Sequence, residues 1–544
     1  MNNVSIKKSI WEFLKENKKS TIGYLFFSLA MPISNVYLPH VYGKIISNLN
    51  QNGLNSAVKK QLVYVVLLWI LVQIFWGAMN TIDSYFIPKL RMHVRQHIVN
   101  VVLETYKVDY TEPELGGVLA EIVRLPDEID HLFSSIRNHL LPMSYMLVFS
   151  IGYFMWTNPL IGFVSGTSIL FYIFLGLQFG KKCVPAWEEM NYSHCELHDE
   201  INDVFTNLFN IYTSDTENQE KDRLAEKDNA FSNYHKKTIH CSGMFRFKLN
   251  MIYIALFALT NIVSLWLFSK GKIELNSVIS VLIISLELVS KMSSFAGTMD
   301  KIMYELSVIR NAQRILDDLA VGKMMNTGLN KDISNFDATG DISFDNVTVK
   351  IADKIILNDV TLKFPKRETT VITGAIGSGK STMVKCLMRL IPYKGIIKIG
   401  ECDIQKPSLT QLRQEILFIP QTPKLFNRTV FENIIYGNDA KREHVEKLLE
   451  KYNLDKMFKL DQNVGKGGQS LSGGQRQIVF LLRCLFKTSS IIILDEPTAS
   501  LDSETKETIF EILKELLKNK TVLLITHDNE MMGWGKYILN LNLI

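Results

Sequence analysis

The chain has 544 residues, which is more than a single domain usually contains. Hydrophobic residues make up 47% of it and charged residues 21%, a balance that lies between a soluble enzyme and a protein buried wholly in a membrane. The formal net charge of +5 is small for this length and gives no sign of the clustered basic face that nucleic-acid binding requires. We therefore exclude nucleic acid as an expected partner.

Six segments in the first part of the chain are long and apolar enough to cross a bilayer, which takes about 20 helical residues. They lie near residues 20–46, 62–86, 139–157, 159–180, 250–268 and 277–300. The short turn Thr157-Asn158-Pro159 predicts a tight hairpin between the third and fourth segments. Two longer links, roughly 87–137 and 181–248, mix polar and apolar residues at helical spacing, so we expect helices that continue beyond the bilayer.

Lysine and arginine residues indicate the orientation of these spans. Basic residues precede the first span and follow the second and fourth: Lys7, Lys8, Lys15, Lys18, Lys19, Lys89, Arg91, Arg95, Lys181 and Lys182. Fewer lie on the opposite side, namely Lys59, Lys60, Lys270 and Lys272. On balance we predict a multi-pass membrane protein with its N-terminus and both long links in the cytoplasm. The polar, basic start of the chain lacks a cleavage site, so no signal peptide is expected.

Polar groups inside the spans need partners. Glu287 and Lys291 are four residues apart with the acid first, which favours a mutually satisfied pair on one helix face. A charged element of the translocation pathway is the alternative. Pro32 and Pro39 should bend the first span, because proline lacks an N–H donor. Two polar residues inside that bend are candidates for substrate contact: Asn35 and His40.

Cysteines are scattered along the chain without a CxxC pair: Cys183, Cys195, Cys241, Cys386, Cys402 and Cys484. This spacing is typical of neither a metal site nor a disulfide framework. We therefore expect buried or unreactive thiols.

A linker over residues 320–340 separates a membrane domain, 1–319, from a region, 341–544, that begins with short β-rich runs. One of these runs, Thr370–Thr373, leads into a glycine-rich segment made of Gly374, Ala375, Ile376, Gly377, Ser378, Gly379, Lys380, Ser381 and Thr382. This is the G-x-x-x-x-G-K-[ST] pattern between a strand and a helix, whose backbone N–H groups close around phosphate oxygens. The segment therefore predicts nucleotide binding.

A second apolar strand, Ile491–Leu494, ends in Asp495-Glu496. The first carboxylate is placed to hold Mg²⁺, and the second can orient or deprotonate an attacking water. On its own this pattern usually marks only a strand end. Beside a phosphate loop it predicts a hydrolysis site.

Further motifs follow in order: Phe418–Gln421, Leu425–Ile434, Val464–Gly468, Leu471–Gln475, Ser500–Asp502, and a strand that ends in Thr526-His527. With them the chain resembles an ATP-binding cassette (ABC) exporter half-transporter of the type IV, multidrug, lipid or peptide exporter kind, over nearly its whole length. The resemblance implies an α-helical six-span transmembrane domain plus an α/β P-loop NTPase domain of the ABC type. It also implies ATP-driven export or flipping of an unidentified substrate. An ATP-gated channel or a regulatory ABC protein that does not pump is the alternative.

The resemblance also implies roles for individual residues. Four would take part in catalysis: Lys380, Gln421, Glu496 and His527. Three would surround Mg²⁺: Ser381, Gln421 and Asp495. ATP would be held by residues 374–382 and by a second set, Gln421, Ser472, Gly473, Gly474, Gln475 and Asp502. Within that set, Ser472 and Gly474 would contact the γ-phosphate of a nucleotide held by another subunit.

One position departs from the family pattern. Its members usually carry an aromatic residue that stacks on adenine, and the matching position here is Ile351. No aromatic residue occurs between Phe344 and Phe364. Either adenine packs on aliphatic surface with weaker discrimination between bases, or another group stacks on it.

In the resembled family, the phosphate loop and the signature of one domain cannot meet. The single copy of each motif in this chain therefore implies a dimer with two nucleotides at its seam. Intact Ser472, Gly474, Glu496 and His527 favour a homodimer, and a heterodimer remains the alternative. The turns of the long links, near Thr111–Gly117 and Ile211–Glu217, resemble the coupling helices of exporters, and we expect the first to rest near Gln421. The expected partners are thus a second chain, membrane lipid and an unknown substrate.

Overall fold

The computed structural model describes residues 5–107, 115–324, 336–351, 354–375, 377–498 and 503–541. The chain divides into two compact units. One consists of Met1–Leu103 and Pro113–Ala320, and the other of Glu104–Glu112 and Val321–Ile544. The boundaries predicted from the sequence at 319/320 and 340/341 stay predictions, since much of the linker lies outside the described residues.

Long helices build the first unit. In chain order they are α1 (Ile6–Glu16), α2 (Lys18–Phe27), α3 (Ala30–Pro32), π1 (Ile33–Tyr37), α4 (Leu38–Asn52), α5 (Ser56–Tyr106), α6 (Leu115–Ser135), π2 (Ile136–Leu140), α7 (Leu141–Thr157), α8 (Pro159–Thr206), α9 (Leu208–Ser214), α10 (Glu217–Ser269) and α11 (Leu275–Met324). The 51 residues of α5 span about 75 Å at 1.5 Å per residue, far more than the hydrocarbon thickness of a bilayer. The predicted extension of helices beyond the membrane is therefore confirmed.

Six helical segments in the described part of the chain are long and apolar enough to span a membrane. They cover Lys18–Gln51, Ser56–Glu104, Val123–Thr157, Pro159–Thr206, Glu217–Ser269 and Leu275–Arg314. Each of the six spans predicted from the sequence lies inside one of these segments, so the predicted fold class of the membrane domain is confirmed. The predicted hairpin is present as well: α7 ends at Thr157, and Asn158 caps α8 by accepting a hydrogen bond from the Leu160 N–H at 3.0 Å.

The first span is interrupted where its two prolines predict a bend. A π-helical turn, π1, lies between Pro32 and Pro39, and the helix also breaks at Ser28 and Leu29. Because proline removes a backbone donor, the regular i→i−4 ladder cannot run unbroken through this stretch. Beyond π1, the Nδ1 atom of His40 lies 3.0 Å from the Tyr153 hydroxyl of α7.

Two expectations about side chains in this unit were wrong. Cys183 of α8 and Cys241 of α10 form a disulfide, because the two helices pack along their length and bring the Cα atoms to 5.8 Å. Glu287 and Lys291 of α11 share a helix face, yet among the described residues neither a hydrogen bond nor an ion pair joins them. Spacing of four residues allows such a pair but stabilises it by only about 0.2–0.5 kcal/mol, too little to fix the rotamers.

The second unit is an α/β domain. Its strands are β1 (Ile342–Ile351), β2 (Lys354–Phe364), β3 (Thr369–Thr373), β4 (Lys394–Ile399), β5 (Cys402–Asp403), β6 (Ile416–Ile419), β7 (Ile491–Asp495), β8 (Thr521–Ile525) and β9 (Tyr537–Asn540). Its helices are α12 (Lys380–Leu387), α13 (Leu409–Glu415), α14 (Val430–Ile434), α15 (Arg442–Lys451), α16 (Gly473–Leu485), α17 (Ser503–Leu516) and α18 (Asn529–Met532).

The strands form two sheets. An antiparallel sheet has the order β2-β1-β4-β5, and a parallel sheet has the order β6-β7-β8-β3-β9. The central strands β7 and β8 are almost wholly buried apolar runs, as expected of strands covered on both faces. One hydrophobic core lies between α12 and both sheets, and a second joins the parallel sheet to α14–α17.

Candidate functional site

The candidate nucleotide site lies where the parallel strands end. The phosphate loop follows β3, Gln421 follows β6, Asp495 and Glu496 close β7, and His527 follows β8. Strands β6, β7, β8 and β3 are neighbours, so their carboxyl ends lie at one edge of the sheet. Ligands of open α/β sheets bind at this edge. The topology thus gathers residues that are more than 150 positions apart in the chain.

The phosphate loop has the backbone that a phosphate cradle needs. Gly377 and Gly379 have φ values of +85° and +92°, a region that side chains disfavour. A Cβ atom on Gly379 would lie only 2.5 Å from a methyl group of Leu357. Lys380 begins α12, and its Nζ donates to the carbonyl oxygens of Gly374 and Ala375 at 2.7 and 2.9 Å. The lysine thus closes the loop on itself. Ile376 lies outside the described residues.

Polar side chains from different strands meet beside the loop. The Ser381 hydroxyl donates to Asp495 Oδ2 at 3.2 Å, and Gln421 Nε2 donates to Glu496 Oε2 at 2.8 Å. The His527 Nε2 atom lies 3.9 Å from Glu496 Oε1. Burial is the main reason why the pKa of Asp495 is raised, and the nearby Glu496 carboxylate raises it further. A cation placed beside the Asp495 oxygen and the Ser381 hydroxyl would oppose both effects.

Glu496 is held in an unusual backbone conformation. Its φ of +47° is left-handed, which is uncommon for a residue other than glycine. The Glu496 N–H donates to the carbonyl oxygen of Ile525 at 2.9 Å, and this bond to β8 helps to fix the turn. Such strained residues cluster at functional sites. The turn directs the Glu496 carboxylate to the position between Gln421 and His527.

The signature residues lie elsewhere in the domain, at the start of α16. Ser472 is the N-cap: its Oγ accepts from the Gln475 N–H at 3.1 Å, and the Gln475 Oε1 accepts from the Ser472 N–H at 3.0 Å. This capping box leaves Ser472 and Gly473 exposed. Among the described residues, no hydrogen bond joins residues 471–475 to the phosphate loop. Asp502 lies outside the described residues.

The chain is similar to known transport proteins over nearly its whole length. The family described as ABC transporter matches residues 357–499. An export ATP-binding/permease protein of Rickettsia felis is 24% identical over 97% of this chain and 92% of its own length. The ATP-dependent lipid A-core flippase of Escherichia coli is 37% identical, but over only 35% of this chain and 34% of its own length. The solved structure of a bacterial Atm1-family ABC exporter with ATP bound has a TM-score of 0.84 and 22% identity, over 96% of this chain and 93% of that one.

The chain is an ABC exporter with its membrane domain and its nucleotide domain fused. The family match covers the phosphate loop and the signature, and the full-length relative and the exporter fold account for the rest of the chain. This ABC exporter is a multi-pass membrane protein with a cytoplasmic nucleotide domain, and it couples ATP hydrolysis to export. The predicted family, fold class and class of activity are confirmed.

The position predicted to face adenine carries an aliphatic side chain. Ile351 closes β1 with 45% of its surface exposed. The two nearest aromatic residues in the sequence, Phe344 and Phe364, are fully buried against each other in the core. Neither ring is free to stack on a base.

One functional contact of the exporter was not predicted. Asn433 of α14 is fully buried; its Oδ1 accepts from the Phe426 N–H at 3.0 Å and from the Arg483 guanidinium at 3.1 Å. Its Nδ2 donates to the carbonyl oxygens of Phe426 and Thr429. Arg483 lies on α16, so this asparagine ties the segment after Gln421 to the signature helix. The sequence contains Asn433 within a family motif but gives no sign of its partner 50 residues away.

Arg413 is a second such residue. Its guanidinium donates to the carbonyl oxygens of Lys107, Met388 and Arg389 at 2.6, 3.1 and 2.9 Å, and burial lowers its pKa. Lys107 belongs to the first long link, of which Glu104–Glu112 groups with the nucleotide domain. Residues 108–114, which include most of the first predicted coupling turn, lie outside the described residues.

Proposed function

We infer that the working exporter is a dimer of two copies of this chain with two ATP molecules at the seam. The observation that carries the inference is the capped, exposed start of α16. Its free N–H groups and the Ser472 hydroxyl form a site for an anion, because helix N-termini attract negative charge. Within one chain this site makes its hydrogen bonds only locally. A phosphate held by a second copy would complete it.

In this proposal the strand-end residues divide the work of hydrolysis. Lys380 leaves the Gly374 and Ala375 carbonyls to bind the β- and γ-phosphates. Ser381 and Asp495 supply oxygen ligands to Mg²⁺, the kind of ligand that this ion prefers, and Gln421 completes the set. The ion neutralises phosphate charge when it is bound. Glu496 orients the attacking water, and His527 contacts the γ-phosphate.

Coupling between the nucleotide domain and the membrane domain would run through the ends of the long cytoplasmic helices. The second predicted turn overlaps the last residues of α9, and Asp215, which follows that helix, has a left-handed conformation with a φ of +53°. Phe209 and Tyr212 of α9 are 79% and 65% exposed, a large amount of apolar surface for a soluble turn. Exposed apolar surface of this kind marks an interaction site. ATP would then shift the equilibrium between the states of the membrane domain only if the exporter binds ATP with a different affinity in each state.

The test uses the full chain reconstituted in sealed vesicles. Glu496→Gln should lower ATP hydrolysis at least about 100-fold, because the group that acts on water is lost, while ATP binding is retained. Glu507→Gln on the exposed face of α17 is the matched control and should hydrolyse ATP like the wild type. Hydrolysis that survives in Glu496→Gln would overturn the assignment of this residue.

A channel or regulatory role predicts a different result. Flux across the vesicle membrane of a compound that stimulates ATP hydrolysis should require ATP and stop in Glu496→Gln if the protein pumps. Passive flux that is equal in both proteins would instead support an ATP-gated pathway.

A further inference from the structure

An open groove of about 540 Å³ lies between the first and third spans. Its polar end is formed by Tyr37, His40, Tyr153 and Trp156, and its apolar floor includes Val148 and Phe149. It begins at the π-helical turn π1 and reaches the last turn of α7, beside the hairpin to α8. This volume lies in the range of small-molecule sites, and π-helical turns are frequent at functional sites.

The polar groups of the groove include side chains that can donate hydrogen bonds. The Tyr153 hydroxyl bonds His40 Nδ1 at 3.0 Å; with Tyr153 as the donor, the histidine carries its proton on Nε2. That Nε2 atom has no hydrogen-bond partner among the described residues. The Tyr37 hydroxyl lies 3.2 Å from that of Tyr64 on α5. The Trp156 indole is a further donor, and it is 73% exposed.

A positive charge lies close to the polar end of the groove. Lys44 follows His40 by one helical turn and is exposed. No aspartate or glutamate is among the described residues that line the groove. Aromatic rings alone would also suit an organic cation, but a cation here would meet Lys44 and find no carboxylate. Charge complementarity therefore favours an anion at the polar end.

Gly152 lines the groove without a side chain of its own. A Cβ atom placed on this residue would have no neighbour within 4 Å, so open space lies beyond it. A longer side chain at this position can enter the groove without displacing any atom of the backbone. A Cβ atom on Gly77 of α5 would also have no neighbour within 4 Å, but this residue does not line the groove.

We propose that this groove binds an anionic amphiphile, with a phosphate or carboxylate head at His40 and Tyr37 and an alkyl chain along Val148 and Phe149. The inference deepens the export function, since it names a ligand class for the membrane domain, and it rests on that function for its physiological meaning. Binding itself requires neither nucleotide nor hydrolysis.

The experiment measures equilibrium binding of dodecyl phosphate to the full-length protein in neutral detergent without nucleotide. The wild type should bind saturably, and Gly152→Leu should bind at least about 10-fold more weakly because leucine fills the groove. Gly77→Leu places the same side chain in open space on another span and should bind like the wild type. Wild-type affinity in Gly152→Leu would overturn the proposal.

Two further measurements test the proposal even if Gly152→Leu does not fold. Lys44→Gln should weaken dodecyl phosphate binding several-fold, and dodecyltrimethylammonium should not compete for the site. Unchanged binding in Lys44→Gln, or equal competition by the cationic probe, would refute an anion site. ATP is absent from the binding assay, so failure to bind dodecyl phosphate would not change the interpretation of ATP hydrolysis in Glu496→Gln. Likewise, an unexpected result in the hydrolysis assay would not change the interpretation of the binding assay.

Discussion

Ile351 is the residue that we predict to lie against the base of the nucleotide. The side chain is exposed at the end of β1, and the neighbouring rings Phe344 and Phe364 are committed to the core. Stacking of a base on an aromatic ring is worth about 1–3 kcal/mol. An isoleucine offers apolar contact without that stacking, so the wild type should discriminate weakly between ATP and GTP.

Replacing this residue tests that expectation. Ile351→Tyr should lower the Kd for ATP by about 5- to 150-fold, the range that corresponds to the stacking energy. The ratio of the GTP and ATP affinities should change with it. Ile351→Leu keeps an aliphatic surface and serves as the control. An ATP affinity of Ile351→Tyr equal to those of the wild type and Ile351→Leu would show that adenine does not rest on this position.

The phosphate end of the site could be predicted from the sequence, and other contacts could not. Lys380, Ser381 and their neighbours form one continuous motif, and Asp495 and Glu496 follow an apolar strand, so local patterns identify both. The Cys183–Cys241 disulfide joins residues 58 positions apart and depends on how α8 packs on α10. No local pattern encodes that packing. The predicted Glu287–Lys291 ion pair is absent from the described residues for the opposite reason. The spacing of the two residues is a local pattern, but this spacing does not fix their side-chain rotamers.

At the scale of elements, α14 and α16 depend on one buried amide. Asn433 uses its side-chain oxygen and nitrogen for four hydrogen bonds, and its backbone carbonyl oxygen accepts from Arg483 Nε at 2.7 Å. Burial lowers the pKa of Arg483, because the charged guanidinium is partly removed from water. These hydrogen bonds therefore hold the segment after Gln421 to the signature helix.

Asn433→Ala should destabilise the nucleotide domain by several kcal/mol, because each buried group left unsatisfied costs about 1–3 kcal/mol. The melting temperature should fall by about 2–4 °C for each kcal/mol, measured by scanning calorimetry of the full chain. Asn438→Ala is the matched control, since its side chain makes only an exposed bond to the Tyr436 carbonyl oxygen. A change no larger than that of the control would show that Arg483 finds other partners.

At the scale of the whole molecule, the proposed dimer makes each hydrolysis site from two chains. Heterodimers that carry Lys380→Ala in one chain and Ser472→Arg in the other would then keep one intact site. Heterodimers of wild type with the double variant Lys380→Ala/Ser472→Arg would keep none. The two assemblies contain the same substitutions and differ only in their distribution.

Isolation of each heterodimer with two affinity tags allows their ATP hydrolysis to be compared. The first arrangement should retain about half of the wild-type activity, and the second should retain almost none. If each chain instead used its own signature, the order would reverse, because the second arrangement would contain one complete chain. The comparison therefore decides between the two architectures with a single assay.

The capping box of α16 bears on how readily such a seam can close and reopen. A hydroxyl has one hydrogen and two lone pairs. The Ser472 Oγ atom uses one lone pair to accept from the Gln475 N–H. The hydroxyl hydrogen of Ser472 is therefore available to an incoming phosphate oxygen. Docking would then add a bond without breaking one, and departure would leave the helix start as it was. The signature can thus engage and release nucleotide in every cycle without any local refolding.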